Sequence, residues 1–496
     1  MSISPETMNA TDITGTFFSP VGTEKLISIR AKFAQQVNAT DYGAVFDGIT
    51  NDTVALQNAI NATQSNTLGG SGKTLILPAG TSVIGGVTIS GQIDIRGSSS
   101  GTSVLSLASG STVPAVTISV ANVSTTQFAA QVSLSHLRIV SPNRADGPGQ
   151  SVAHGVALVN AGTPVQTRVL LTDVTIGGVP GDGVHAASWT GWVEADGVYI
   201  QYPGGYGLYA NSVSDWRWKG GDISGALSDN VILSGSAAMQ FVGTNIYAAV
   251  GNNVQLFGAT QASFALCYFD IAGKHGIWNQ LNSSGSAVFN DCWFRWSSQS
   301  ATGTYFDAYF EASSGGSLYF NGGHFKSGAS PYSPFYTPQG NIGFSGSSAG
   351  TAVLTPSVVF DGGVPTASGQ TNLATQLSGA YLIGIGGVSP ITTRLRADAT
   401  TAYTAPAAAN GGTTTMAQGQ EKVLLLPSGP IAGHTLNLPL NPEDGQVAKI
   451  ASSNAITTLT VAASGKTVTP SSTTLAAGQG IEYTYVAGGT SWVKSI

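Results

Sequence analysis

Hydrophobic and polar positions recur at a nearly fixed interval between Ala195 and Phe325. An apolar or aromatic residue is followed five positions later by another, and this pair returns most often after 23 residues. The pairs are Ala195/Ile200, Trp218/Ile223, Phe241/Ile246, Phe264/Phe269, Phe289/Phe294 and Phe320/Phe325. A second apolar segment recurs at nearly the same interval, beginning at Val184, Leu208, Val231, Val254 and Ile277. Both patterns belong to one repeating coil.

The repeat predicts a parallel β-helix. A period near 23 residues with Gly, Asn and Ser turns is typical of a solenoid whose coils stack around one core. A leucine-rich repeat has a similar period, but this chain lacks the Leu-x-x-Leu-x-Leu framework and alternates apolar and polar residues as strands do. Neighbouring coils should lie about 4.8 Å apart.

Composition agrees with an all-β protein and narrows its partners. Of 496 residues, 65 are Gly and only 9% are charged, which suits strands and turns. A net charge of −6 without a basic run argues against nucleic acid or an anionic membrane as partner. Because the first 20 residues lack a basic segment followed by an apolar run, we expect no secretory signal peptide and no membrane insertion.

The two cysteines test the register. Cys267 and Cys292 fall three positions after the repeat aromatics Phe264 and Phe289, which predicts inward positions on adjacent coils. We expect packed thiols, with a disulfide as the alternative.

A motif near the N-terminus carries a family resemblance. Residues 41–53 read Asp-Tyr-Gly-Ala-Val-Phe-Asp-Gly-Ile-Thr-Asn-Asp-Thr, an apolar-patterned helix follows, and residues 72–81 read Gly-Lys-Thr-Leu-Ile-Leu-Pro-Ala-Gly-Thr. This stretch resembles the opening of pectate-lyase-like right-handed β-helix proteins, a superfamily that includes polygalacturonases and polysaccharide-depolymerising phage tailspikes. The resemblance implies right-handed coils.

The helix after the motif should cover the open end of the solenoid core. Asp52 or Thr53 is the expected N-cap. The residues expected to face the core are Val54, Leu56, Ala59 and Ile60.

Five segments are predicted along the chain. Residues 1–36 form an attachment segment with a short helix at 24–36, residues 37–365 the β-helix, 366–400 an irregular β connection and 401–420 a linker. Residues 421–496 contain short strands at roughly ten-residue spacing, which predicts a small β-sandwich. We expect this domain to serve trimerisation or the binding of a receptor or carbohydrate.

The carboxylates can be sorted by register. Glu194 and Asp196 each face a base on the next coil, Arg217 and Lys219, so cross-strand ion pairing competes with a catalytic role for these acids. Asp182, Asp222 and Asp229 have no such partner and are the leading candidates for an acid/base set on one groove edge. Paired carboxylates at suitable spacing hydrolyse glycosidic bonds, although turn Asp residues often serve local hydrogen bonds instead.

Two outward columns of side chains are candidates for sugar binding, since aromatic faces beside carboxylates make a sugar platform. A buried subunit interface is the alternative. The first column reads His185, Tyr209, Ile232, Gln255, Trp278, and the second reads Tyr199, Asp222, Asn245, Tyr268, Trp293, His324.

The turns Asp182-Gly-Val-His185 and Lys274-His-Gly-Ile277 are similar to the Asp- and His-bearing turns of polygalacturonases. The Asp-Asp, Asn-Thr-Asp and Arg-Ile-Lys elements of that family are absent, which argues against pectin hydrolysis. A dense Asp cluster is also absent, so we expect no metal and no cofactor.

The residues and the resemblance together predict a phage or prophage tailspike, located in the virion or outside the cell. It is expected to bind and hydrolyse a bacterial surface polysaccharide, to be a homotrimer by resemblance, and to join the tail or baseplate through residues 1–36. Alternatives are a polysaccharide lyase using His185, Tyr209 or Lys219, a non-catalytic receptor-binding protein, and a secreted cellular enzyme.

Overall fold

The computed structural model describes residues 36–65, 73–120, 130–142, 151–160, 167–189, 191–301, 304–326, 340–345, 406–416, 420, 422–442 and 444–495. It also describes several short strands: Phe17–Phe18, Ile27–Ser28, Thr351–Leu354, Val359–Asp361, Leu377–Ser378, Tyr381–Gly384 and Ile391–Arg394. The prediction of a right-handed parallel β-helix with a small C-terminal β-sandwich is confirmed. No helix in this described part is long and apolar enough to cross a membrane.

Each coil contributes one strand to each of three parallel sheets, which we call faces I, II and III. Face I consists of Val87–Ile89, Val116–Ile118, Val156–Leu158, Val184–Ala187, Leu208–Asn211, Val231–Ser234, Val254–Gly258, Ile277–Leu281, Phe306–Phe310 and Gly340–Phe344.

Face II follows face I in each coil. Its strands are Gln36–Asn38, Thr74–Leu77, Ile93–Gly97, the first halves of Ala130–Val140 and Thr167–Gly177, then Trp192–Asp196, Trp216–Lys219, Met239–Val242, Gln261–Ala265, Ser286–Asn290 and Ser317–Asn321.

Face III closes the coil. Its strands are Asp47–Asn51, Gly80–Ile84, Ser103–Leu107, the second halves of Ala130–Val140 and Thr167–Gly177, then Tyr199–Gln201, Asp222–Ser224, Asn245–Tyr247, Tyr268–Asp270, Trp293–Arg295 and His324–Lys326.

A left-handed residue turns the chain from face II to face III in successive coils, and a second one, Gly221 or Gly323, follows it in two of them. A positive φ bends a strand sharply, and Gly adopts it without steric cost. The position is occupied by His136, Asp173, Gly197, Gly220, Gly243, Leu266, Asp291 and Gly322.

The repeat aromatics stack along the solenoid axis. Phe264 lies 4.8 Å from Phe241 and 5.0 Å from Phe289 between ring centroids, and Phe289 lies 5.1 Å from Phe320. These spacings equal the strand separation, so each coil buries its ring on that of the previous coil. Cys267 and Cys292 are free, buried thiols in the same core, as predicted.

The N-terminal motif is explained by hydrogen bonds of its polar side chains. Asp52 is buried and accepts the backbone N–H of Val45 at 2.8 Å and of Phe46 at 3.1 Å. Asp47 accepts from the backbone of Ile49 and Thr50 at 2.8 and 2.7 Å. These acids therefore fix the loop that leads into the first helix.

That helix, α1, spans Thr53–Thr63 and buries Leu56, Ala59 and Ile60. Asp52 is the N-cap residue, as predicted, but its side chain makes no cap hydrogen bond because it is committed to the preceding loop. The inward position predicted for Val54 is wrong, because that side chain is 72% exposed. Ile27–Ser28 is a strand antiparallel to Phe17–Phe18, which corrects the helix predicted at 24–36.

The C-terminal unit has two sheets around their own core. One sheet contains Thr413–Thr415, Ile431–Asn437, Ile456–Ala462 and Ser472–Leu475; the other contains Lys422–Leu425, Val447–Ser452, Thr467–Thr469, Gly480–Val486 and Ser491–Lys494. Thr413–Thr415 lies within the predicted linker but pairs in parallel with 435–437. Short 3-10 helices occupy Ala39–Tyr42 and Ala487–Gly489.

Candidate active site

A ladder of polar residues runs along the corner between faces III and I, two positions before the start of each face I strand. We call it the corner ladder. Its members on consecutive coils are His154, Asp182, Tyr206, Asp229, Asn252 and His275.

Most members of the corner ladder accept a hydrogen bond from the backbone of the next member. The N–H of Asp182 donates to His154 Nδ1 at 2.9 Å, and the N–H of Tyr206 donates to Asp182 Oδ1 at 2.8 Å. Asn252 donates its N–H to Asp229 Oδ1, and His275 donates its N–H to Asn252 Oδ1 at 3.0 Å. The ladder thus satisfies backbone donors that the corner would otherwise bury.

Asp182 and His185 form a dyad at this corner. Asp182 Oδ2 lies 2.6 Å from His185 Nδ1, and the carboxylate is buried while the imidazole is half-buried. If Nδ1 carries the proton and donates it to the carboxylate, Nε2 is left with a lone pair. An imidazole held in this tautomer by a buried carboxylate is the arrangement of a general base.

The imidazole of His185 is held between two other rings. His154 stacks on one side at a centroid distance of 4.2 Å, and Tyr209 stacks on the other at 4.7 Å. Burial lowers the pKa of His154 to about 4, and its Nδ1 already accepts an N–H. His154 is therefore neutral at neutral pH, so its 3.5 Å approach to Asp182 Oδ2 is not an ion pair.

His154, Asp182 and His185 bring possible metal-ligand atoms within 4.8 Å of one another. However, the rings of His154 and His185 are stacked with an angle of only 12° between their planes. Lone pairs of stacked, parallel imidazoles point in parallel directions, and a metal prefers to lie in the plane of each ligating ring. The arrangement fits a hydrogen-bonded dyad better than a metal centre.

Asp229 is the second buried carboxylate of the corner ladder, two coils from Asp182 and therefore about 10 Å away along the axis. Burial raises its pKa to about 6, against the opposing effect of hydrogen bonds from Asn252. Glycines leave the space both carboxylates need. A Cβ on Gly205 would lie 2.3 Å from Asp182 Oδ1, and one on Gly251 would lie 2.2 Å from Asp229 Oδ1.

The third predicted acid, Asp222, lies elsewhere. It begins a face III strand, is half-buried, and accepts a hydrogen bond from Asn245 Nδ2 at 2.8 Å. Asp182 and Asp229 therefore share one ladder, whereas Asp222 stands in the outward column of face III.

The reserve acids lie on face II. Asp196 pairs with Lys219 at 3.5 Å, as predicted. Glu194 is the register partner of Arg217 but forms its ion pair with Arg168 on the other side, at 2.8 and 2.9 Å. Glu194 also lines a cavity of about 210 Å³ with Trp192 and Arg217.

The register of both predicted columns is confirmed, but they lie on different faces. The first column follows face I, where His185, Tyr209 and Trp278 are half-buried. Ile232 and Gln255 in that column are only 5% exposed, so the prediction that it is open to solvent is wrong there.

The second column follows face III. Tyr199 and Trp293 are 38% and 45% exposed, and the guanidinium of Arg295 lies 4.5 Å from the ring centroid of Tyr268. The substrate-binding candidates therefore divide between two surfaces that meet at the corner carrying the ladder.

Three ladder residues were missed in the sequence: His154, Tyr206 and Asn252. His154 and Tyr206 each precede a glycine that lies directly before the next face I strand, in His154-Gly155 and Tyr206-Gly207, as Asp182 does in Asp182-Gly183. That shared flank is the signal that places them in the same register.

Comparison with known families agrees with this geometry. Residues 36–272 match the family described as rhamnogalacturonase A/epimerase, pectate lyase-like. This part of the β-helix is similar to that family. The match contains the corner ladder from His154 to Asn252.

Similar folds occur among solved structures. Tailspike protein 2 from Escherichia coli O157:H7 bacteriophage CAB120 is 16% identical with a TM-score of 0.49, covering 69% of this chain and 45% of that one. The A-module of mannuronan C-5 epimerase AlgE6 from Azotobacter vinelandii is 14% identical with a TM-score of 0.45, covering 71% of this chain and 100% of that module.

The gp42 tailspike of Acinetobacter phage vb_AbaP_AS12 is 9% identical with a TM-score of 0.45, covering 72% and 64% of the two chains. This chain spans about half the length of the phage tailspike reported first. A search of curated proteins found no match.

Proposed function

We propose that the protein is a phage or prophage tailspike that binds and cleaves a bacterial surface polysaccharide at the corner ladder. The observation that carries the proposal is the Asp182–His185 dyad, a half-buried imidazole fixed by a buried carboxylate at 2.6 Å. The pectate lyase-like family match supports a saccharide polymer as the substrate.

The chemistry that this site fits best is glycoside hydrolysis by an acid and a base. His185 Nε2 takes a proton from water, and the water oxygen attacks the anomeric carbon. Asp229, whose pKa is raised to about 6 by burial, gives its proton to the leaving oxygen as the glycosidic C–O bond breaks. The separation of about 10 Å along the axis between Asp182 and Asp229 lies just above the roughly 6.5–9.5 Å that lets water enter between two carboxyl groups.

The remaining candidates have supporting roles in the proposal. Tyr209 supplies a ring beside the dyad. Asp222 and three aromatic residues of face III hold the polymer beyond the corner: Tyr199 and Trp293, which are exposed, and Tyr268, which is half-buried. Trp278 extends the face I column. Glu194 and Asp196 are reserve acids because both are ion-paired.

Elimination is the second candidate, and the stack of His185 on Tyr209 favours it. A neutral imidazole beside a uronic acid can remove the proton next to its carboxylate, while the phenol gives its proton to the glycosidic oxygen as the C–O bond breaks. This reaction leaves an unsaturated uronide, which absorbs ultraviolet light, whereas hydrolysis leaves a saturated reducing end.

The test is incubation of the full chain with capsule, exopolysaccharide and O-antigen from candidate hosts. We expect new reducing ends without ultraviolet absorbance; absorbance would establish elimination, and binding of uncleaved polymer would establish a non-catalytic receptor-binding protein. Asp182→Asn and Asp229→Asn should each lower kcat about 100-fold or more. Asp291→Asn is the control, because Asp291 is an exposed left-handed corner residue and Asn tolerates that conformation.

The assembly belongs to the same proposal. Residues 1–36 join the phage tail or baseplate, three chains form a homotrimer, and residues 421–496 serve trimerisation or receptor binding. The location is then the virion.

A further inference from the structure

A polar groove lies on face III, next to the start of the turn that connects face III to Asp182. It has a volume of about 470 Å³, and its lining includes Arg138, Val140, Gly177, Gln201 and Tyr202. None of the catalytic or sugar-binding candidates above belongs to it.

The groove exists because one position of an outward column of side chains is a glycine, Gly177. Val140, Gly177 and Gln201 pair in register on three consecutive coils. Gly177 lies between Val140 and Gln201 in this column. Because it has no side chain, the floor of the groove between those two residues is backbone. A Cβ added to Gly177 would lie 3.7 Å from Gln201 O and 4.0 Å from Val140 Cγ1, which is ordinary contact. Local packing therefore does not require glycine here.

Arg138 is an exposed cation at one end of the groove. Among the residues that the structure describes, no carboxylate lies within ion-pair distance of it. Asp173 on the neighbouring coil is already bound, to His136 Nδ1 at 3.0 Å and Ser100 Oγ at 2.8 Å. Arg138 lies in the same outward column as Thr175, Tyr199 and Asp222. The Asp222 carboxylate is three strand spacings, or about 14 Å, from Arg138 along the axis. At that distance the pair is screened by physiological salt.

Tyr202 closes the other end of the groove with an aromatic ring that is 56% exposed. Its ring lies against Gly225, where a Cβ would be 2.5 Å from Tyr202 Cδ1. Since Gly225 removes the side chain that would push the ring away, the ring rests on the backbone of the next coil. Gln201 adds an amide between the ring and the cation.

The groove is close to the dyad along the chain. Gly178 and Tyr202 begin the two corner segments that end at Asp182 and Tyr206. The members of each pair are four positions apart, a span of at most about 14 Å. A polymer that lies across the corner would contact both places.

We propose that this groove is a subsite for an anionic sugar unit of the polymer, with Arg138 binding its carboxylate or phosphate, Gln201 a hydroxyl, and Tyr202 the apolar face of the ring. A guanidinium matches both anions through paired hydrogen bonds. An anionic sugar unit needs a cation for its charge, an amide for a hydroxyl, an aromatic ring for its apolar face and open space above the backbone. The groove provides these features. The inference rests on the proposed function for its choice of polymer, but its test does not require cleavage.

The experiment measures binding by the full chain carrying Asp182→Asn, so that turnover does not interfere. The probes are hexamers of galacturonate, mannuronate and glucuronate, their carboxyl-reduced neutral forms, and a sugar-phosphate oligomer. We expect at least one anionic probe to bind more tightly than its neutral counterpart, and Arg138→Gln to weaken that probe about ten-fold. Whether a uronate or the sugar phosphate shows the effect identifies the source of the anion.

Two further variants separate the groove from general effects of charge. Arg96→Gln removes an exposed arginine on face II and should leave binding unchanged. Gly177→Val fills the floor of the groove and should weaken the same probe. Unchanged binding in Arg138→Gln or Gly177→Val, an equal loss in Arg96→Gln, or no preference for any anionic probe overturns the subsite. Preference for an anion through Arg138 without cleavage of any polymer by the wild type would refute the proposed hydrolysis and leave the subsite standing.

Discussion

Asp182 and Asp229 each combine a structural task with the chemistry proposed for them. Both carboxylates accept a backbone N–H of the next coil, so a variant can change stability and activity together. Asn is the suitable replacement because its Oδ1 can still accept that N–H. A loss of activity in Asp→Asn without a change of stability then reports on proton transfer.

The raised pKa of Asp229 predicts a pH dependence of stability. In the folded protein the Asp229 carboxyl has a pKa of about 6 and keeps its proton up to that pH. In the unfolded chain an Asp carboxyl loses its proton near pH 4. Folded protein therefore binds more protons in this window, and its free energy of unfolding falls as pH rises from about 4 to about 7, by up to about 3 kcal/mol from this group.

Asp229→Asn removes that contribution. Its free energy of unfolding relative to the wild type should rise by up to about 3 kcal/mol across the same pH range, measured by denaturant unfolding at each pH. Asp291→Asn makes the same change of charge at an exposed corner. A difference that stays constant with pH in Asp229→Asn would contradict the raised pKa.

At the scale of the elements, the corners of the coils require glycine at some left-handed positions and accept other residues at others. Gly197 and Gly221 both have positive φ at the corner between faces II and III, 62° and 71°. A Cβ on Gly197 meets nothing within 4 Å, whereas one on Gly221 would lie 1.9 Å from Val198 O. The two positions separate backbone strain from steric clash.

We expect Gly197→Ala to lower the free energy of unfolding by about 1 kcal/mol, the cost of a left-handed alanine. Gly221→Ala adds a clash with backbone and should lower it by about 3 kcal/mol or more. Denaturant unfolding of both variants measures the difference. Equal losses would show that the corner relaxes around the added methyl group.

Coil register was largely predictable because the aromatic pairs repeat without ambiguity through five coils. Ala195, Trp218, Phe241, Phe264 and Phe289 fall in register as expected. Exposure was less predictable. Ile232 and Gln255 point outward by alternation, yet each is only 5% exposed.

At the scale of the whole molecule, assembly is the main prediction. A homotrimer should give a mass in solution near three times the chain mass of 50.3 kDa, by light scattering coupled to size exclusion. A monomer at micromolar concentration would remove the argument for a trimeric tailspike, although the groove on face III could still bind sugar. The predicted domain boundaries stay predictions.

The sequence by itself determined the β-helix, its register, the inward cysteines and the separation of paired from unpaired acids. These follow from period and alternation, which depend only on spacing along the chain. Only the tertiary structure decided which acids act together. It put Asp182 and Asp229 on one ladder and Asp222 on another face, paired Glu194 with Arg168, and brought His154 and Tyr209 against His185. These contacts join different coils through side-chain direction and burial, which periodicity does not specify.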